Sequence, residues 1–176
     1  MSAREQLERA LRDVDELILA HEALTGGGVG APRKRQGQAI SRAAVVIIVA
    51  NLEVFIEECF EAAAMRFYGA TTRDDLKSLF ANTSKKLNHP SLQKVDLLFY
   101  NVGIRDISHK IRWQRLSNNE FRRKYNYLLE LRGKIAHGGR PGVRLQVVRH
   151  GVDFARRFAD RLQLAVDTEF SRRGIP

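Results

Sequence analysis

Apolar residues recur every three or four positions through most of the chain. From about residue 2 to 24, Leu7, Leu11, Val14, Leu17 or Ile18, and His21 or Leu24 fall on one side of a helix. Ser2 followed by Glu5 reads as a capping box at its start. Thr25-Gly26-Gly27-Gly28 ends it, because glycine takes the left-handed turn at little cost. A Gly-rich and basic loop is expected over 25–37, carrying Pro32 and the triplet Arg33-Lys34-Arg35. It has no Gly-Lys-Ser/Thr and no preceding strand, so it does not read as a phosphate-cradling loop. The next segment, about 36–68, is apolar almost all round in ISRAAVVIIVANL and amphipathic in EVFIEECFEAAAMRF. Its length, with no breaker between Gln38 and Phe67, decides for a long helix over a strand. Such a helix belongs at the centre of a bundle.

Shorter elements follow. Thr72 is placed to cap a helix over about 73–81, and Ser91 one over 92–100 that Gly103 terminates. Residues 106–116, with the sole Trp113, read as a short helix or irregular turn. Ser117 followed by Glu120 is a second capping box. It opens a helix with Phe121, Tyr125, Leu128, Leu129 and Ile135 on its apolar side, ending at Gly138-Gly139 before Pro141. The last helix, about 144–170, has Val148, Val152, Ala155, Ala159, Leu162 and Val166 in one stripe, with Arg149, Arg156, Arg157 and Arg161 largely off it. No strand pair, repeat or second domain is evident. The expected architecture is all-α, one domain over 1–176 built as a bundle of four or five main helices.

Composition narrows the class. At 176 residues, with 44% hydrophobic and 28% charged side chains, the chain is globular in kind, not disordered. A single cysteine, Cys59, excludes an internal disulfide framework and a multi-cysteine zinc site. The charged first segment is unlike a secretory signal. The longest apolar run, 43–52, is half of the roughly 20 residues a membrane span needs. A soluble, cytoplasmic protein without membrane association is therefore expected. The net charge of +10 is unevenly spread. Residues 1–70 hold 8 Lys/Arg against 10 Asp/Glu, whereas 71–176 hold 22 against 10. A basic C-terminal part fits a polyanionic partner, most simply nucleic acid, and equally fits a well-solvated surface.

The segment LRGKIAHGG holds the most suggestive chemistry. It sets Arg132 and His137 five residues apart near a helix end, about 140° past a full turn. A guanidinium keeps its charge and matches phosphate geometry, and an imidazole can give or take a proton near neutral pH. Together they suffice for cleaving RNA without a metal. His137 would serve as base on the ribose 2′-OH or acid on the leaving oxygen, and Arg132 would stabilise charge on the phosphoryl group. The spacing alone is common, since Arg144 and His150 also satisfy it; a basic last turn with a glycine cap explains the same residues structurally.

LRGKIAHGG resembles the Arg-x4-6-His signature of the HEPN domains (higher eukaryotes and prokaryotes nucleotide-binding). ISRAAVVIIVANLEVFIEECF and NHPSLQKVDLLFYNVGIRDISHKIRW resemble the second helix and middle region of the RiboL-PSP-HEPN branch. The likeness spans roughly 36–140. It implies a helical bundle, usually a homodimer, and a metal-independent endoribonuclease whose two motifs meet in one cleft across the dimer interface. It also implies toxin–antitoxin, abortive-infection or other antiviral roles, with a cognate antitoxin or sensor as partner and no cofactor. Arg132 and His137 are then the catalytic pair. The residue after the signature arginine is commonly polar and here is Gly133. That departure favours the alternative, an inactive HEPN module that binds RNA, nucleotide or a partner protein.

Residues around this pair carry weaker signals. Lys134 and the run Arg122-Arg123-Lys124 are candidate RNA contacts, or simply solvated cations. Glu53 on the central helix either supports the site by pairing with an arginine such as Arg42 or Arg132, or faces solvent or the dimer seam. Glu57, Glu58 and Glu61 lack a histidine at ligand spacing, so no metal site is expected. His109 and His150 lie in basic surroundings. Tyr125 and Tyr127 could stack on bases, although Tyr125 fits the core stripe better. Cys59 reads as a small buried apolar residue.

Overall fold

The computed structural model describes residues 2–26, 31–69, 91–113 and 116–175. The expected helix over 73–81 lies outside them. Six helices occur among the described residues: α1 (Ala3–Thr25), α2 (Ala31–Tyr68), α3 (Leu92–Tyr100), α4 (Ile107–Lys110), α5 (Asn118–Ala136) and α6 (Leu145–Arg172). No strand is among them; Trp113 and Leu116 make one isolated bridge. The fold class is all-α helical bundle, as expected. Six helices replace the expected four or five because α3 and α4 are only 9 and 4 residues long.

Caps written in the sequence form as read. Ser2 Oγ accepts from Glu5 N–H at 3.2 Å, and Glu5 Oε2 accepts from Ser2 N–H at 2.7 Å. Ser117 and Glu120 repeat this exchange at 3.2 and 3.0 Å ahead of α5. Ser91 Oγ accepts from Lys94 N–H at 3.3 Å and starts α3. One boundary differs from expectation. α2 begins at Ala31 rather than near Gln36, so the basic triplet lies in its first turns and not in a loop. Pro32 does not prevent this, since the first turn needs no amide donors from its own residues.

The chain divides into two compact units. The first comprises Met1–Leu52 and Lys124–Arg157. Its core takes Leu7, Leu11, Val14 and Ile18 from α1, Val45, Ile48 and Val49 from α2, Tyr125, Leu128 and Leu131 from α5, and Val148 and Val152 from α6. Gly151 allows close packing, because a Cβ there would lie 3.2 Å from Ile48 Cδ1 and 3.5 Å from Leu128 Cδ2. Arg156 ties α6 to α1 through Glu8 and Asp15, both at 2.8 Å.

The second unit comprises Glu53–Arg123 and Phe158–Pro176. Aromatic rings dominate its core: Phe60 meets Phe99 edge-on at 5.9 Å, and Phe121 stacks on Phe158 at 6.0 Å. Arg66 pairs with Asp167 at 2.5 Å and lies 4.8 Å over the Phe170 ring. α2, which contributes to both units, contains a stretch long and apolar enough to cross a membrane by length and composition. In this fold Ala44, Val45, Ile48, Val49, Leu52, Phe55 and Ile56 along that stretch are buried.

Candidate functional site

The motif residues sit at the end of α5, and the helix decides what each can do. Phe121, Tyr125 and Leu128 are buried at helical spacing. Arg132 continues that stripe, four residues past Leu128, and is half-buried. Its aliphatic stem thus shares the register of the core. The opposite stripe is Arg123, Tyr127, Glu130, Lys134 and His137, and every member is exposed. Arg132 and His137 therefore leave one helix on different sides, as five residues at 100° each require.

His137 is the last residue before the chain turns away. Its N–H donates to the Gly133 carbonyl at 3.1 Å, so it keeps the helical path. Gly138 then takes φ +81. Its N–H donates to the Ile135 carbonyl at 3.0 Å, and Gly139 N–H donates to the Lys134 carbonyl at 2.9 Å. These two bonds make a Schellman ending, which needs the left-handed residue that Gly138 supplies. The following segment is pinned by the Gln38 side chain. Gln38 Nε2 donates to the Val143 carbonyl at 3.1 Å, and Val143 N–H donates to Gln38 Oε1 at 2.7 Å. The imidazole thus projects from a backbone fixed on both sides.

The neighbouring candidates are placed unequally. Lys134 is exposed and pairs with Glu130 at 2.7 Å, and that hydrogen bond raises its ammonium pKa. A pair this open to water gives way readily to a competing phosphate. Gly133 is open: a Cβ there would meet nothing within 4 Å. Sterics therefore do not demand glycine beside the arginine. Lys124 and Arg123 are exposed on α5. Arg122 is half-buried and committed locally. Its Nε donates to Asn118 Oδ1 at 2.9 Å and its Nη2 to Ser108 Oγ at 2.7 Å. Ser108 in turn donates from N–H and Oγ to Asp96, both at 2.7 Å. This network around the buried Ser108 ties α3, α4 and the start of α5 together, and the sequence pattern does not reveal it: Asp96 and Ser108 are twelve residues apart with no helical or strand period linking them.

Glu53 is half-buried and, with Arg122 and Arg123, falls in the second unit, whereas Arg132, Lys134, His137 and Lys124 fall in the first. Glu57, one turn further along α2, is an acid held against its preference. Burial, then the charges of Glu53 and Glu61, raise its pKa. Burial also pushes the Cys59 thiol up to about 12, leaving it without thiolate reactivity near neutral pH. Tyr125 is in the core and Tyr127 on the surface. His150 faces solvent beside Gln146, 2.8 Å away. Among the described residues no group of three or more His, Cys, Asp or Glu is placed to hold a metal ion.

An all-α chain whose α5 ends in Arg-x4-His with a glycine-capped terminus is the class of protein that HEPN domains define. The RiboL-PSP-HEPN family model matches residues 5–167, and the chain belongs to that family. No curated protein and no solved structure matches it.

Proposed function

We propose that the chain, read as one HEPN-like domain, is a metal-independent endoribonuclease. Its role would be that of a toxin or antiviral, abortive-infection effector in the cytoplasm. The observation that carries this reading is the presence on one helix end of a half-buried Arg132 and an exposed His137, within a family match that includes both. The two side chains diverge by about 140° around α5, so one copy does not aim both at a single phosphate from one side of the helix. A second copy set against the end of α5 answers that geometry, because each copy then supplies the group that the other aims away: two arginines and two histidines border one cleft. In that cleft one His137 takes the proton of the ribose 2′-OH. The 2′-oxygen attacks phosphorus, the bond from phosphorus to the 5′-oxygen breaks, and the partner copy's histidine returns a proton to that oxygen. The products are a 2′,3′-cyclic phosphate and a 5′-hydroxyl. Arg132 carries the charge that builds on the phosphoryl oxygens. Lys134, Arg123 and Lys124 add phosphate contacts that weaken with salt, and a cognate antitoxin or sensor restrains the cell-damaging activity.

Gly133 favours a second reading. It leaves open space where a polar side chain would help orient the arginine or the substrate. On that reading the domain binds RNA, nucleotide or a partner protein without cutting. Incubation of the purified protein with total RNA in EDTA, beside His137→Ala, separates the two. Cleavage by the wild type alone, with cyclic-phosphate ends, supports the nuclease. Binding without cleavage by both proteins supports the module, and equal cleavage by both removes His137 from the mechanism.

A further inference from the structure

The second unit holds a cavity of about 630 Å³, open to solvent, between residues 105–112 and one face of α6. That volume lies within the range of small-ligand sites, roughly 300–1,000 Å³. The α6 face is Arg161, Leu164, Ala165, Thr168, Glu169 and Arg172, spaced three and four apart. The opposite rim brings Arg105, Lys110 and Arg112. Asp106 builds that rim by taking a left-handed conformation at φ 49, which turns the chain into α4.

The cations here outnumber the carboxylates, and not all are neutralised by them. Buried Glu169 is already served by Lys110 at 3.0 Å and Arg172 at 3.1 Å. Asp106, the other carboxylate of the lining, is exposed. Among the described residues, no carboxylate lies within ion-pair distance of Arg105, Arg112 or Arg161. Arg161 is half-buried, where an unneutralised charge is costly. Arg112 commits only its Nε, to the His109 carbonyl at 3.3 Å, which leaves its terminal nitrogens for a ligand. Beside these guanidiniums Leu164 is 52% exposed, an apolar wall for a sugar or base.

We infer that this groove binds a ligand carrying two or more phosphate groups. Guanidinium forks match phosphate oxygens in pairs, and three of them around a cavity this large exceed what one phosphate can satisfy. The same chemistry has two sources, a free polyphosphate or nucleotide and the phosphate chain of a nucleic acid. The inference does not depend on the nuclease reading, since neither Arg132 nor His137 lines the groove.

Calorimetry on the full chain with inorganic tripolyphosphate, and with decathymidylate (which lacks the 2′-OH and is not cut), tests it. The wild type should bind at least one of the two. Arg161→Gln should weaken binding about tenfold, and Arg112→Gln, an exposed position that spares the fold, about fivefold. The exposed pair Arg9→Gln and Arg12→Gln on α1 removes two charges elsewhere and should leave binding within about twofold. Tripolyphosphate binding that decathymidylate does not displace identifies a free polyphosphate as the ligand; displacement, or binding of decathymidylate alone, identifies a nucleic-acid backbone. No binding of either probe, equal losses in the α1 control, or unchanged affinity in both groove variants would each overturn the inference.

Discussion

The end of α5 and the groove of the second unit are both basic, yet they are built on opposite plans. At α5 one short stretch of sequence supplies everything: a guanidinium in the core register, an imidazole on the exposed stripe and a glycine pair that ends the helix. In the groove the cations come from 105–112 and 161–172, and a buried carboxylate holds two of them in place. The first plan offers a proton-transfer group at a fixed terminus, with its cations spread along one helix. The second offers charge and volume, with His109 exposed at its rim. On the two proposals made above, chemistry belongs to the first region and electrostatic capture to the second.

The largest effect that can break this division is on catalysis. His137→Ala should lower the RNA cleavage rate by about 10² or more, the usual contribution of a general acid or base. Arg132→Lys should not restore the rate, because a point charge does not reproduce a guanidinium fork. A groove double variant, Arg112→Gln with Arg161→Gln, should leave the rate at saturating RNA within about threefold and change only the concentration needed. Single-turnover cleavage against RNA concentration separates the two. A groove variant that loses the saturated rate would merge the regions into one site.

Next in size is the glycine that ends the motif helix. Gly138 sits at φ +81, and a Cβ added there would meet nothing within 4 Å, so Gly138→Ala incurs only the backbone cost of a left-handed residue. That cost is about 1–2 kcal/mol, or a fall in melting temperature of about 2–8 °C for a chain of this size. Urea unfolding measures it. If His137 depends on this turn for its direction, cleavage should fall further than stability explains.

Acid sharpens the comparison through carboxylates in both units. The Lys110 hydrogen bond, acting against burial, holds Glu169 below the ordinary carboxylate value of 4.5. Burial works to raise Glu8, but hydrogen bonds from Arg4 and Arg156 outweigh it and its pKa is lowered too. A group whose folded pKa is depressed stabilises the fold above its unfolded pKa, and that stabilisation disappears as pH falls through the folded value. The melting temperature should therefore drop below about pH 4.5 as these two groups protonate. Glu169→Gln should lower it at pH 7 and change it little at pH 3. Glu57 has the opposite sign, because its raised pKa makes its charge a cost at neutral pH. Glu57→Gln should raise the melting temperature at pH 7, with the gain shrinking in acid.

The two regions also differ in how far the sequence reveals them. Helix existence follows from period and caps: Ser91 opens α3, Ser117 with Glu120 opens α5, and Val148 to Val166 bury along α6. The motif is equally legible because all its parts lie on one helix end. The start of α2 is less so, since Pro32 and the glycines before it read as loop when the proline lies inside the first turn. The groove escapes altogether. Arg105, Arg112 and Arg172 follow no shared period, and only the packing of 105–112 along α6 gathers them. Arg122 shows the converse limit: a run of three basic residues reads as a uniform surface patch, while one member is half-buried and tied to Asn118 and Ser108.

The smallest expected effect concerns Gly133, where the nuclease and binding-module readings part. A helix-interior glycine costs about 0.5–1 kcal/mol relative to alanine. A Cβ at Gly133 meets nothing within 4 Å, so Gly133→Ala should recover most of that amount. Gly133→Asn should recover less, because asparagine is a poorer helix former, but it adds an amide next to Arg132. If the glycine has weakened a working nuclease, Gly133→Asn raises the cleavage rate severalfold over Gly133→Ala at similar stability. If the domain is a binding module, the two variants differ in melting temperature alone. Either result also bears on the Schellman turn, since His137 donates its N–H to the Gly133 carbonyl and any shift at 133 reaches the imidazole through that bond.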